Sequence, residues 1–118
     1  MNIQIFGTKK SSDARKAERW FKERRVKAQF IDLMDKGISR GELRNAAAAC
    51  GGLDALIDAD CKDRDALAFV RCIAPQQRED AVLERPQLLR QPIVRNGKRA
   101  AAGYQPEVYK KWLEEEQA

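Results

Sequence analysis

The opening of this chain constrains its fold most, because two short apolar segments enclose one amphipathic helix. Residues 3–6 predict a buried strand, and residues 28–33 predict a second one. Between them, from about residue 12 to residue 25, apolar residues recur at the spacing of a helical stripe that faces a core. The residues of that stripe are Ala14, Ala17, Trp20 and Phe21. A strand-helix-strand order over so short a span favours a parallel strand pair joined by a right-handed crossover.

The middle of the chain is predicted to be helical. Ser39 followed by Glu42 has the pattern of a capping box, and the glycines at 51–52 end the helix that it starts. The other predicted elements of this region are a helical turn at 53–57, a polar loop at 58–63, a helix or buried segment at 66–73 and a short helix at 78–84.

The C-terminal part returns to strands. Residues 92–102 predict a hairpin centred on Asn96-Gly97, because this dipeptide suits a type I′ turn, in which both central residues have positive φ. A last helix is predicted from about Pro106, since proline is favoured at the first helical position. Its apolar face has Val108, Tyr109, Trp112 and Leu113.

The order β-α-β, helices, β-β-α predicts an α/β fold of the thioredoxin type. In that fold a four-stranded mixed sheet is covered by helices, and here residues 37–85, approximately, form a central helical insertion. At 118 residues the chain is predicted to be one domain, 1–118.

Composition restricts location and partners. No apolar run reaches the roughly 20 residues that a membrane helix needs, and the first residues lack the basic start of a signal peptide. We therefore expect a cytoplasmic protein, monomeric and without membrane contact. Its net charge of +5 can attract nucleic acid, an acidic partner or an oxyanion. Aromatic residues, 7% of the chain, do not interleave with the basic cluster, which argues against nucleic-acid binding.

The cysteines predict neither a disulfide framework nor a metal site. There are three, Cys50, Cys61 and Cys72, without a C-x-x-C pair and without any histidine to complete a ligand set. Cys50 and Cys72 have apolar helical neighbours and are predicted to pack in the core. Cys61, in the polar loop, is the candidate for an alternative reactive thiol.

The loop before the first helix has the features of an anion site. Lys9, Lys10, Ser11, Ser12 and Arg15 surround the predicted helix N-terminus, where backbone N–H groups and the helix dipole favour an anion. Ser12 is predicted to cap the helix, because its oxygen can accept a hydrogen bond from an unpaired N–H. The alternative is a capped helix with solvated lysines and no ligand.

Ser11 occupies the place where a reactive thiol would gain most. A cysteine just before a helix N-terminus has a lowered pKa. A serine hydroxyl needs an adjacent base before it becomes a useful nucleophile, and this sequence contains no histidine. Ser11 is therefore predicted to be inactive as a nucleophile.

Five segments spread over nearly the whole chain carry a family resemblance. They are residues 5–17 (IFGTKKSSDARKA), 20–21 (WF), 86–94 (PQLLRQPIV), 103–107 (GYQPE) and 112–113 (WL). In order and spacing they resemble the thioredoxin-fold family of glutaredoxin-linked arsenate reductases and Spx transcriptional regulators, above all its small arsenate-reductase-like bacterial members. The resemblance implies a thioredoxin-like fold and a cis peptide bond before Pro92.

The chain departs from the family's pattern at the positions that carry its chemistry. The family's nucleophilic cysteine aligns with Ser11, and the second cysteine of the Spx redox pair aligns with Ala14. An arginine that helps hold the oxyanion aligns with Gln91. A later arginine aligns with Tyr104, and a basic residue of the middle loop aligns with Asp60. Together these changes remove the nucleophile and most of the cationic clamp.

Three functions remain as alternatives, and direct nucleic-acid binding, which predicts a steep salt dependence of affinity, is the least favoured of them. The first is a binding or regulatory module without thiol chemistry, whose partner is an acidic protein or a small anionic ligand. Its support is an analogy at the level of the fold, because members of the Spx group bind RNA polymerase. Its candidate binding residues are Lys9, Lys10, Ser12, Arg15, Gln91, Pro92 and Tyr104. The second is a glutathione- or glutaredoxin-linked oxidoreductase that uses a relocated thiol such as Cys61. We expect no metal and no resident cofactor, with glutathione as the one candidate that the resemblance leaves open.

Overall fold

A computed structural model describes residues 1–117, and this part of the chain has four strands and five α-helices. The strands are β1 (Ile3–Gly7), β2 (Ala28–Asp32), β3 (Ile93–Asn96) and β4 (Arg99–Ala102). The α-helices are α1 (Ser12–Glu23), α2 (Arg40–Cys50), α3 (Arg64–Cys72), α4 (Pro75–Glu84) and α5 (Pro106–Gln117), with short 3-10 turns at Leu53–Leu56 and Pro86–Leu88.

The strands form one mixed sheet in the order β2-β1-β3-β4. β1 and β2 are parallel, with Ile5 opposite Phe30. β3 runs antiparallel to both β1 and β4, and Val94 lies opposite Ile5. The predicted fold class is confirmed. The single domain with an insertion at 37–85 stays a prediction, although α2, α3 and α4 do lie between β2 and β3 in the chain.

Both faces of the sheet are buried. On one face, Ile3 and Ile5 pack with residues of α1 and α5, namely Ala17, Trp20, Phe21, Tyr109 and Trp112. On the other face, Phe6 and Ile93 pack with residues from the helices between β2 and β3, among them Leu43, Leu67, Val70 and Val82. The apolar stripes predicted for α1 and α5 therefore hold the first face together.

Two helices begin earlier than the apolar pattern predicts. α3 begins at Arg64, because the Asp63 side chain accepts a hydrogen bond from the Ala66 backbone N–H at 3.1 Å and caps the helix. α4 begins at Pro75, the first helical residue, which has no N–H to leave unpaired. Both helices begin in polar or proline-containing segments, where there is no apolar periodicity from which a helix start could be predicted.

The β3–β4 hairpin is present, but its turn differs from the prediction. Asn96 pairs with Arg99, so the two central residues are Gly97 and Lys98. Gly97 has φ of +61°, whereas Lys98 has no positive φ. Glycine first with positive φ is the pattern of a type II′ turn, so the type I′ prediction centred on Asn96-Gly97 is wrong.

The two cysteines predicted to lie in the core differ in exposure. Cys50 is half-buried, and burial raises the pKa of its thiol. Cys72 is exposed at the end of α3, so the prediction of core packing is wrong for this residue.

Among residues 1–117, no helix is both long and apolar enough to cross a bilayer, and no group of histidine, cysteine or acidic residues is arranged to hold a metal ion.

Candidate functional site at the start of α1

A cleft of about 560 Å³ opens where β1 ends and α1 begins. We call it the β1–α1 cleft. Three separate segments line it: residues 8–13 before and at the start of α1, residues 58–63 before α3, and residues 87–91 before β3. The predicted residues Lys10, Ser11, Cys61 and Gln91 are all among its lining.

Ser11 is the N-cap residue of α1. Its backbone is extended, and its Oγ accepts a hydrogen bond from the Ala14 backbone N–H at 3.2 Å. The Ser11 backbone N–H donates to the Thr8 carbonyl at 3.1 Å and so closes the tight turn that precedes the helix. Ser12, predicted as the cap, is instead the exposed first residue of the helix, because the backbone turns helical only after Ser11.

Gln91 holds the same loop from across the cleft. Its Oε1 accepts hydrogen bonds from the Thr8 backbone N–H at 2.8 Å and from the Thr8 hydroxyl at 3.1 Å. The Gln91-Pro92 peptide bond is cis, as the resemblance implies. Pro92 is buried, and its carbonyl accepts a hydrogen bond from the Gly103 N–H at 2.8 Å.

The end of β1 approaches α1 without room for a side chain. A Cβ built on Gly7 would lie 2.8 Å from the Cβ of Ala14 and 3.5 Å from the Oε1 of Gln91. Real Cβ contacts are longer than the first of these distances. Gly7 and Ala14 together therefore set how closely the cleft loop joins the sheet.

Cys61 lies inside the cleft but is not presented to solvent. It is 4% exposed, and its thiol donates a hydrogen bond to the Gln87 carbonyl at 3.2 Å. Its loop is closed by the Cys61 N–H donating to the Asp58 carbonyl at 3.1 Å and by the Asp60 N–H donating to Asp58 Oδ1 at 2.9 Å. The thiol thus shares a cleft with Ser11, while its hydrogen is already bonded within the protein.

Carboxylates outnumber ammonium groups in the cleft. The acidic residues that line it are Asp13, Asp58, Asp60 and Asp63, and the basic ones are Lys10 and Lys62. Hydrogen bonds from the Ala66 N–H and the Gln87 amide lower the pKa of Asp63, which keeps this carboxylate charged. An inorganic anion would therefore meet more negative than positive side chains here.

The other predicted ligand residues lie elsewhere. Lys9 Nζ lies over the Phe30 ring, 5.0 Å from its centroid, and makes an ion pair with Glu18 at 3.9 Å. Lys9 and Arg15 line a second concave surface outside the β1–α1 cleft. Tyr104 is half-buried and lines a smaller cavity of about 360 Å³, which also includes Gln91. The structure therefore divides the predicted set between neighbouring surfaces.

Thr8 and Gln87 are among the cleft residues that were not predicted as site residues. Thr8 donates two hydrogen bonds to Gln91 Oε1, while Gln87 accepts one from the Cys61 thiol through its carbonyl and donates one to Asp63 through its side-chain amide. Thr8 stands in the loop that the sequence singles out, so its place next to Ser11 was a usable signal. Nothing local marks Gln87, because its partners lie 24 and 26 positions away in the chain.

Comparison with known proteins agrees with this architecture. A model of the ArsC family matches residues 6–112. Among solved structures, a protein named YffB is 24% identical with a TM-score of 0.79, covering 93% of this chain and 97% of its own. An arsenate reductase from Vibrio cholerae is 21% identical with a TM-score of 0.80, covering 94% and 97%.

A third solved structure extends the comparison. An arsenate reductase (ArsC) related protein from Brucella melitensis is 16% identical with a TM-score of 0.61, covering 96% of this chain and 95% of its own. Similarity at these identities shows a shared fold. No curated protein matches the sequence significantly.

Proposed function

This chain belongs to the ArsC family, and we propose that it is a binding member of that family, which performs no thiol step at position 11. The observation that carries this is the state of Ser11. Its hydroxyl oxygen caps α1, and within residues 1–117 the hydroxyl donates to no carboxylate. The sequence also has no histidine to act as its base.

The charges of the β1–α1 cleft favour a ligand that carries both signs. Four aspartates and two lysines line it, so a small inorganic oxyanion is not matched by its surroundings. A short zwitterionic peptide can place an ammonium group near Asp58 or Asp60 and a carboxylate near Lys10 or Lys62. Glutathione carries both signs, with one ammonium group for an aspartate and two carboxylates for the two lysines of the cleft, and it is the ligand that we propose.

Binding without turnover also suits a regulatory protein in the cytoplasm, as Spx relatives are. The cleft loop is held by hydrogen bonds at both ends of its turn, so the site is formed before a ligand binds. A preformed site loses less conformational entropy when its ligand binds. The regulatory role is part of this proposal.

One observation favours a second candidate function. Cys61 lines the same cleft as Ser11, which is the arrangement that a glutathione-linked oxidoreductase with a relocated thiol needs. Against it, Cys61 is 4% exposed, and its thiol donates a hydrogen bond to the Gln87 carbonyl. Disulfide exchange requires access to the sulfur, so we rank this function second.

S-methylglutathione tests the proposed binding, because it cannot exchange thiols. Titrated into ¹⁵N-labelled protein, it is expected to shift the amide signals of Ser11, Cys61 and Gln91 with a Kd of about 1 mM. Lys62→Ala should weaken binding about threefold, the effect of losing one exposed charge contact. Lys98→Ala, in the exposed hairpin turn, is the matched control and should leave the Kd unchanged.

Two results would overturn the proposed ligand class. One is the absence of shifts around Ser11 when S-methylglutathione reaches about tenfold the expected Kd. The other is an equal or larger response at Ser11 to inorganic phosphate at the same ionic strength, which would mean that the cleft selects an oxyanion.

A further inference from the structure

A second concave surface lies between α1 and β2. We call it the basic groove. It has a volume of about 770 Å³ and shares no lining residue with the β1–α1 cleft. Val26 and Ala28 contribute its apolar part, and Glu18 is its one acidic lining residue. Its basic lining residues are Lys9, Arg15, Arg19, Lys22, Arg25 and Lys27.

The helix concentrates these charges on one side. Arg15, Arg19 and Lys22 are spaced i, i+4 and i+7, so they share one face of α1. Glu18 lies 3.9 Å from Lys9 and makes an ion pair with it. Within residues 1–117 the other five basic residues of the groove form no ion pair. Like charges gathered this closely repel one another, and an acidic partner would relieve that repulsion.

The groove runs beside an open sheet edge. β2 is the outermost strand and, in the described part of the chain, pairs with β1 alone. The outer side of an edge strand presents backbone N–H and C=O groups that can pair with another chain. Ala28, the first residue of β2, belongs to the groove itself, so the charges and the edge adjoin.

We propose that the basic groove and the β2 edge together bind an extended acidic segment of a protein partner. The segment adds to the sheet beside β2, and alternate side chains, which point to the α1 side, place carboxylates among the lysines and arginines. Five residues of β2 offer a pairing edge of about 17 Å. Backbone pairing supplies the position, and charge supplies the preference for acidic sequences.

The observations favour a peptide over a nucleic acid. Single-stranded nucleic acids gain affinity by stacking bases on aromatic rings, and no aromatic side chain among residues 1–117 lines this groove. The nearby Phe30 ring already has Lys9 Nζ over its face at 5.0 Å. A phosphate backbone also cannot complete the hydrogen-bond ladder of a strand edge.

The groove is independent of the β1–α1 cleft, so a failure of glutathione binding leaves this proposal untouched.

A designed peptide tests both parts of the proposal. The probe is acetyl-Glu-Val-Glu-Val-Glu-Val-Glu-amide with a fluorescent label, and anisotropy is expected to give a Kd of about 100 μM at low salt. The amide signals of Ala28–Asp32 should shift on binding. The control peptide has the same side chains but N-methyl groups at the alternate residues whose N–H groups would face β2, which removes the hydrogen-bond donors along that edge. It is expected to bind about tenfold more weakly, since only charge attraction remains.

Variants of the protein distinguish binding at the basic groove from general attraction to a positively charged protein. Arg19→Glu with Lys22→Glu reverses two charges of the groove and should weaken the probe about tenfold. Lys110→Glu with Lys111→Glu, on the exposed side of α5, changes the net charge by the same amount as the α1 pair. It should change the Kd by less than about twofold.

The outcomes divide cleanly. Preferential binding of the unmethylated peptide, shifts in β2 and loss of affinity in the α1 pair support the proposal. Equal binding of both peptides means attraction by charge alone and overturns strand addition. Tighter binding of a single-stranded oligonucleotide than of the peptide, or no peptide binding up to about 1 mM, overturns the proposed partner.

Discussion

Replacing Phe21 with alanine is expected to lower the free energy of unfolding by about 3–5 kcal/mol. The Phe21 side chain is fully buried, and its ring centroid lies 5.0 Å from those of both Trp20 and Tyr109. Alanine would leave a cavity between α1, α5 and the sheet, and the surrounding side chains could fill it only in part. Urea unfolding followed by circular dichroism measures the change.

Phe69→Ala is the matched control for this prediction. Phe69 is 54% exposed on α3, so the same chemical change should cost no more than about 0.5 kcal/mol. Similar losses for the two variants would contradict the assignment of Phe21 to the shared core of α1 and α5.

Gly7→Ala is expected to destabilise the protein by about 1–3 kcal/mol, the usual cost of overpacking. The added Cβ would meet the Ala14 Cβ at 2.8 Å, and neither backbone can withdraw easily, because Gly7 pairs in β1 and Ala14 is buried in α1. The substitution should also weaken ligand binding, since the loop that begins at Thr8 lines the cleft.

A double-mutant cycle isolates that contact. In an Ala14→Gly background the clashing Cβ is gone, so Gly7→Ala should then cost much less than it does in the wild type. Gly41→Ala is the control, because in the described part of the chain nothing beyond the adjacent backbone of α2 lies within 4 Å of a Cβ at this position. It should stabilise the protein by about 0.5–1 kcal/mol through helix propensity. An equal cost of Gly7→Ala in both backgrounds would rule out the close approach.

Much of the fold follows from local pattern. The helical spacing of the four apolar residues in α1 predicts a stripe that faces the core, and all four are buried. The capping box of α2 forms between Ser39 and Glu42, as the spacing of these two residues predicts. The failures are also physical. Two adjacent serines offer the same capping chemistry, and only the backbone conformation at Ser11 decides between them. The turn of the last hairpin depends on strand register, which pairs Asn96 with Arg99.

The candidate site was less accessible to sequence reasoning. Ser11, Cys61 and Gln91 meet in one cleft, because the topology brings three loops to the same end of the sheet. Lys9 and Lys10 are neighbours in sequence, yet they line different surfaces, which only the path of the tight turn determines. The acidic excess of the cleft arises mainly from the 58–63 loop, which is distant in sequence and adjoins Ser11 only after folding.

The most direct measurement of the central claim is arsenate-dependent oxidation of glutathione by the purified protein in the presence of glutaredoxin. Without a thiol at position 11, and with Cys61 buried, the wild type and Cys61→Ser should both give the rate of the protein-free reaction. Sustained turnover by the wild type would contradict the claim, and its loss in Cys61→Ser would identify the relocated thiol as the nucleophile.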